Sequence, residues 1–138
     1  MLIPNKVKYK KQHRGKKKNR ISTYFGINKY KFGKLGIRAI ESGQITSTQI
    51  QAIMLCVNKI IKKSGRVRLN IFPHNPITKK PIEVRMGKGK GNVAFWAITV
   101  KAGCLLYEIC SNNMALAIKA AKQTQYRLPV LTKYSIKL

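Results

Sequence analysis

The strongest constraint on this chain is its charge imbalance: 29 lysines and arginines stand against 3 acidic residues, a formal net charge of +26. A surface that carries one sign of charge repels itself, so we expect a polyanionic partner. Nucleic acid is the first candidate and an anionic membrane the second. The 138 residues are 44% hydrophobic, which is enough for one buried core. The sequence therefore predicts a folded domain that binds a polyanion.

Few side chains are available for acid–base or metal chemistry. The carboxylates are Glu41, Glu83 and Glu108, and the histidines are His13 and His74. We interpret each carboxylate as an isolated surface or ion-paired residue, because catalysis by paired carboxylates needs two that converge. Neither histidine has a cysteine or aspartate at ligand spacing. We therefore expect no enzyme, no metal site and no cofactor.

The cysteines and the apolar runs bear on compartment and membrane association. Cys56, Cys104 and Cys110 are odd in number and lie in apolar runs, which predicts reduced, buried thiols. No apolar run approaches the length of a membrane span, and the first residues lack the pattern of a signal or transit peptide. A membrane-surface protein would need a basic, strongly amphipathic helix, whereas the cations here concentrate in the first residues and in one loop. With its initial methionine, the chain is expected to stay where it is made.

Residues 1–31 read as a basic arm. Cations alternate with isolated aromatics, and no helix or strand period is present. Such a segment buries too little apolar area to fold alone, so we expect an extended arm that becomes ordered on its partner. A solubility tail is the alternative, but aromatic and cationic side chains together suit stacking on bases and contact with phosphates. The predicted RNA contacts in the arm are Lys6, Lys8, Lys10, Lys11, His13, Arg14, Lys16, Lys17, Lys18 and Arg20.

Residues 32–138 show the periodicities of an α+β domain. We predict a strand from residue 35 to Gly43, a helix capped by Thr46 and closed by Gly65, a strand over 66–72 and a loop over 73–81. Further strands are predicted at 82–86, 93–100 and 104–110, the last two as a hairpin. A second helix with Ser111 or Asn112 as N-cap and a strand over 130–136 follow. The predicted fold is a single-domain sandwich of an antiparallel or mixed sheet with two main helices on one face.

One strand of this domain presents cations on its outer face. In the run "RVRLNIF", Val67 and Leu69 face the core, while Arg66 and Arg68 face out. The two arginines are predicted RNA contacts, with a merely solvated strand face as the alternative.

The segment "VRMGKGKGN", residues 84–92, carries three glycines and three cations. It does not match a Walker A loop, and a strand follows it, so no helix N-terminus is present to hold a phosphate. We predict a long hairpin loop whose glycines let the backbone approach RNA closely. The alternative is a loose tip with incidental lysines. The predicted RNA contacts are Arg85, Met86, Gly87, Lys88, Gly89, Lys90 and Gly91.

The string "KPIEVRMGKGKGNVAFWAITVKAGCLLYE" resembles the signature region of large-subunit ribosomal protein L-sixteen, in its bacterial and organellar form. The opening "MLIPNKVKYKKQHRGK", the run "FGKLGIRAIESGQITSTQIQAI" and "GRVRLNIFPHNPITKKP" resemble that family too. The resemblance implies an α+β sandwich bound to large-subunit rRNA beside the peptidyl transferase centre. It further implies neighbouring ribosomal proteins and the aminoacyl-site tRNA as partners, with Gly87–Gly91 pointing toward the tRNAs and Arg85 at the base of that loop.

Some positions depart from the family pattern. Bacterial relatives usually carry an acidic residue at Ala94 and a tyrosine at Phe95, and arginines common in the first helix are largely replaced by neutral residues. The bias to lysine, isoleucine and asparagine indicates an AT-rich genome. We therefore expect a mitochondrial ribosome in the matrix, with a plastid or the bacterial cytoplasm as alternatives.

Overall fold

The buried side chains of the strands and of the two helices meet in one hydrophobic core. The computed structural model describes residues 2–13 and 29–137. Its elements are β1 (Leu35–Ala39), β2 (Gly43–Thr46), α1 (Ser47–Ile61), β3 (Gly65–Leu69), β4 (Asn75–Lys79), β5 (Asn92–Val100), β6 (Leu105–Ser111), α2 (Met114–Gln125) and β7 (Thr132–Ile136). The predicted α+β class with two main helices is confirmed.

The strands form two antiparallel sheets. One sheet has four strands in the order β3-β6-β1-β7, and the other has three in the order β2-β5-β4. The helices pack on each other and on the four-stranded sheet, and α1 also contacts β2 and β5. The core joins the inner face of β1 to both helices, with fully buried side chains such as Leu35, Ile37, Ile50, Val57 and Ala120.

The first helix begins as its capping box predicts. The backbone N–H of Gln49 donates to Thr46 Oγ1 at 3.3 Å, and the N–H of Thr46 donates to Gln49 Oε1 at 2.9 Å. The predicted closure by Gly65 is wrong. The helix ends at Ile61, Lys62 adopts a φ of 49°, and one 3₁₀ turn leads into β3. Gly65 instead packs closely against β6, because a Cβ there would lie 2.2 Å from the carbonyl oxygen of Cys110.

Several predicted elements are wrong in their boundaries. The first strand ends at Ala39, and Gly43 starts β2 in the other sheet. The segment 73–81 contains β4, where Pro76 is tolerated because β4 is an edge strand. Residues 82–86 form no strand. The N-cap of α2 is Asn113, whose Oδ1 accepts the N–H of Ala115 at 3.1 Å and the N–H of Leu116 at 3.3 Å.

The predicted pairing of 93–100 with 104–110 is also wrong. After the turn at residues 101–103, the N–H of Gly103 donates to the carbonyl of Ala39 at 2.7 Å, and the N–H of Ala39 donates to the carbonyl of Cys104 at 2.9 Å. These bonds direct the chain onto β1, so β6 pairs with β1 and β3 while β5 stays in the other sheet. The strands therefore form two sheets and not the single sheet that the sequence predicts.

The capping box gives a stability prediction. Thr46→Ala removes the acceptor for the N–H of Gln49 and should lower the free energy of unfolding by about 1 kcal/mol. Thr46→Ser keeps the hydroxyl and should remain close to wild type. Urea unfolding followed by circular dichroism measures both variants. An equal loss in Thr46→Ser would mean that the methyl packing matters and the cap does not.

Candidate nucleic-acid interface

The glycine-lysine segment lies in a long loop between two paired strands. Strands β4 and β5 pair up to Lys79 and Asn92, so residues 80–91, hereafter the finger, connect them. Residues 81–90 are all exposed. The predicted hairpin loop is confirmed, and it is longer than predicted because residues 82–86 belong to it. Of the predicted contacts, Arg85 to Lys90 are exposed and Gly91 is half-buried at the base.

Three consecutive residues bend the finger. Gly87, Lys88 and Gly89 have φ angles of 99°, 50° and 82°. Glycine adopts this region freely, whereas a lysine there is held at a cost of about 1 kcal/mol or more. A Cβ at Gly87 or Gly89 would meet nothing within 4 Å, so these glycines serve the backbone conformation. Gly91 differs, because a Cβ there would lie 2.6 Å from the carbonyl oxygen of Lys79.

The finger is braced by its own residues and by the arm. The Lys80 ammonium donates to the carbonyl of Gly87. The Lys11 ammonium donates to the carbonyl of Lys90 at 2.9 Å, and the Lys90 ammonium donates back to the carbonyl of Gln12. This reciprocal pair joins two segments that are far apart in sequence. Sequence reasoning assigned both to RNA without predicting that they meet.

The other predicted arm contacts divide into two groups. Lys6, Lys8, Lys10, Lys11 and His13 are exposed. The predicted contacts Arg14, Lys16, Lys17, Lys18 and Arg20 lie outside the described residues.

The two predicted arginines of β3 are exposed on the four-stranded sheet, away from the finger's sheet. Arg66 pairs across the ladder with Cys110, and Arg68 with Glu108. The Arg68 guanidinium lies 3.4 Å from the centroid of the Phe32 ring, as a cation–π stack. The structure thus adds an aromatic partner that periodicity alone did not reveal.

Phe32 belongs to a short segment, residues 30–33, that crosses the outer face of the four-stranded sheet and is hereafter called the strap. The Tyr30 ring covers Gly36, where a Cβ would lie 2.6 Å from a ring carbon. The Tyr30 hydroxyl donates to the carbonyl of Ser135 on β7 at 2.7 Å. The Arg38 guanidinium lies 5.3 Å from the Tyr30 ring centroid. The strap therefore contacts β1 and β7 on the face opposite the helices.

Glu108 on β6 fastens the strap. Its fully buried carboxylate accepts hydrogen bonds from the backbone N–H groups of Gly33 at 2.8 Å, Phe32 at 2.9 Å and Lys31 at 3.2 Å, and from the Asn70 side-chain amide at 2.8 Å. The prediction of a surface or ion-paired glutamate is wrong here. The position of this glutamate within the apolar run "CLLYEIC" was the sequence feature that could have predicted its burial.

The donors around Glu108 favour its charged form. Burial by itself raises the pKa of the carboxyl, but the four N–H donors outweigh burial and hold the pKa below its ordinary value of 4.5. A group whose pKa is lowered by folding stabilises the fold above its unfolded pKa. That contribution is lost as the pH falls through the folded pKa.

This arrangement predicts the effect of Glu108→Gln. The substituted amide turns an N–H group toward other N–H donors, so the free energy of unfolding at pH 7 should fall by about 2–3 kcal/mol. Below pH 4.5 the difference from wild type should shrink, because the carboxyl of the unfolded chain binds a proton first and the folded carboxylate binds one at a lower pH. Urea unfolding between pH 3 and pH 7 provides the measurement.

Glu83→Gln, in the exposed finger, is the matched control and should unfold like wild type at each pH. An equal deficit for Glu108→Gln at the two ends of the range would contradict a charged Glu108.

In the part of the chain that is described, the remaining titratable groups form no cluster of catalytic or metal-binding type. Cys56 and Cys104 are buried as predicted, while Cys110 is partly exposed. Among the described residues, histidines, cysteines and glutamates form no cluster of metal-ligand type. Within the same ranges, no helix has the length and apolar character needed to cross a membrane.

Comparison with known proteins identifies the family of this chain. The family model described as ribosomal protein L16p/L10e matches residues 4–135. A relative from Staphylococcus carnosus, large ribosomal subunit protein uL16, is 42% identical over 97% of this chain and 91% of its own length. The protein of the same name from Leptospira biflexa is 42% identical over 97% of this chain and 96% of its own length. The chain therefore belongs to the ribosomal protein L16p/L10e family.

Proposed function

We propose that this chain is a structural constituent of the large ribosomal subunit, which binds large-subunit rRNA through its arm and finger. Membership of a ribosomal protein family makes it a component of the ribosome and not an enzyme. The relatives carry the name of large-subunit proteins. The observation that carries the proposal is the finger: an exposed, glycine-bent loop with cationic side chains, held on two paired strands.

The charge of the chain supports an RNA partner. Two of the three carboxylates accept hydrogen bonds from the chain's own backbone: Glu108 from the strap, and Glu41 from the N–H of Leu131 at 2.8 Å. Three carboxylates are too few to neutralise 29 cations. RNA phosphates provide the missing negative charge, and release of their counterions makes the binding strongly salt-dependent.

Arm and finger act together in this proposal. Residues 1–31 are the arm and residues 32–138 the rRNA-binding domain. The contacts of Lys11 and Gln12 with Lys90 continue the finger's cationic surface into the arm. Aromatic side chains of the arm, such as the exposed Tyr9 beside Lys8, provide stacking faces for unpaired bases.

The finger also contacts aminoacyl-site tRNA in this proposal, near the peptidyl transferase centre. A loop with positive φ angles at its tip can bring backbone N–H groups and lysines close to a phosphate chain. We assign the protein to a mitochondrial ribosome from its lysine, isoleucine and asparagine bias. The bacterial relatives make the bacterial cytoplasm an equally good alternative.

The finger is tested by Lys88→Ala combined with Lys90→Ala. Both side chains are exposed, and the contact of the Lys90 ammonium with the carbonyl of Gln12 that is lost lies at the surface, so the free energy of unfolding should change by less than about 0.5 kcal/mol. The variant should enter the large subunit but bind aminoacyl-site tRNA more weakly. For RNA binding by the free protein, the slope of log K against log salt should fall by about 1.4.

Lys119→Ala with Lys122→Ala, two exposed lysines on α2, removes the same charge and should leave tRNA binding unchanged. If this control weakens tRNA binding as much, the finger contributes only net charge. A finger variant destabilised by several kcal/mol would instead make the finger a structural element.

The arm is tested by deleting residues 1–20. The buried core residues lie beyond residue 34 and lose only the packing of the partly buried Leu2, so the truncated chain should fold, whereas its incorporation into large subunits should fall strongly because many phosphate contacts are lost. Circular dichroism measures folding, and quantitative mass spectrometry of purified subunits measures incorporation. Wild-type incorporation of the truncated chain would rule out the arm as an anchor.

A further inference from the structure

A basic groove lies on the outer face of the four-stranded sheet, between β3 and the strap. It has a volume of about 770 Å³. Cys110, which pairs with Arg66 across the β3–β6 ladder, lines it, as do Phe32 and the turn that joins α1 to β3. The groove lies on a different sheet from the finger.

We propose that this groove binds a stretch of single-stranded RNA, as a second RNA site separate from the arm and finger. The proposal rests on the proposed function for its rRNA partner. It adds the place on the protein where a second RNA segment binds, the single-stranded form of that RNA, and a set of contact residues that are not part of the finger.

Charge complementarity is the first support. The described residues that line the groove include four cations, Lys34, Lys63, Arg66 and Arg68, and no carboxylate. All four are exposed, so they reach solvent. Cations gathered in one concave surface repel each other when the groove is empty, and a phosphate chain along the groove removes that repulsion.

The aromatic ring is the second support, and it favours RNA over an acidic peptide. Phe32 is 54% exposed and stacks with Arg68 at 3.4 Å. Unpaired bases stack on such rings and on guanidinium planes, whereas an acidic peptide would use only the charges. Double-stranded RNA presents its bases already stacked, so a single strand fits better.

The stack is held in place before RNA arrives. The buried Glu108 carboxylate accepts the N–H groups of Phe32 and Gly33, which fixes the strap beside β3. The ring therefore loses little conformational freedom on binding, and a preorganised site binds more tightly than a mobile one. With RNA in both the groove and the finger, the protein bridges two separate RNA segments.

Cys110 gives a direct readout of groove occupancy. It is the partly exposed thiol that lines the groove, while Cys56 and Cys104 are buried and serve as internal controls. The experiment follows iodoacetamide alkylation of Cys110 by mass spectrometry in the full chain, with and without a short oligouridylate. At an RNA concentration about ten times the Kd, alkylation should slow about tenfold, because the groove is free about one-tenth of the time.

Variants separate the groove from bulk charge. Lys63→Ala with Arg66→Ala should lose the RNA protection of Cys110, while Lys119→Ala with Lys122→Ala should keep it. Protection that persists in the groove variant overturns the proposal. So does unchanged alkylation of the wild-type protein at RNA concentrations that saturate all of the binding seen by anisotropy, including binding by the arm and finger. Protection by poly-L-glutamate that equals or exceeds protection by RNA would also overturn it, in favour of an acidic protein partner.

Purified large subunits distinguish failure of the groove from failure of the proposed function. If the wild-type chain sediments with the subunit and its Cys110 is protected there, both proposals stand. If it sediments with the subunit while Cys110 reacts as fast as in the free protein, only the groove proposal fails. A chain that does not sediment with the subunit contradicts the ribosomal function, and the oligouridylate experiment still decides the groove.

Discussion

The position of the strap on the four-stranded sheet depends on one buried carboxylate. Glu108 lies in the central part of β6, whose residues Leu105 to Ile109 are all buried, with the helices on one side and the strap on the other. A buried charge is tolerated only where hydrogen bonds replace its water, and four N–H donors do so here. These bonds fix the strap, which follows the arm, at a defined place on the sheet, and they hold Phe32 beside Arg68.

The molecule keeps its cations outside the apolar core. The core is built by one face of β1, by β6 and by the helices, and it needs no cation. Exposed cations lie in the finger, in the described part of the arm and on the outer face of β3, and others lie on the helices and in the connecting turns. A sheet sandwich thus carries exposed basic side chains on its extensions, which is the arrangement expected when the partner is a structured RNA and the contacts are mostly with phosphates.

Many local patterns were predictable, although the alternation over 82–86 predicted a strand that is not formed, and long-range pairing was not predictable. The capping box of Thr46 and Gln49 and the apolar period of "IQAIMLCV" define α1, and alternation at Leu35, Ile37 and Ala39 gives the buried face of β1. Alternation assigns a face to a strand but not a neighbour, so the separation of β5 from β6 could not be read from it. The strap and the contact of Lys11 with Lys90 also depend on residues far apart in sequence. The finger was predictable because its glycine spacing is local, while its length required the pairing of β4 with β5.

Sedimentation of the wild-type chain tests the central claim most directly. Lysate from cells or organelles that contain the protein is separated on sucrose gradients at low and at high salt, and the protein is detected across the fractions. A phosphate-bound constituent of the large subunit should travel with that subunit at low salt and leave it only at high salt. If the protein remains at the top of the gradient at low salt, it is not a stable part of the subunit, and the account is contradicted.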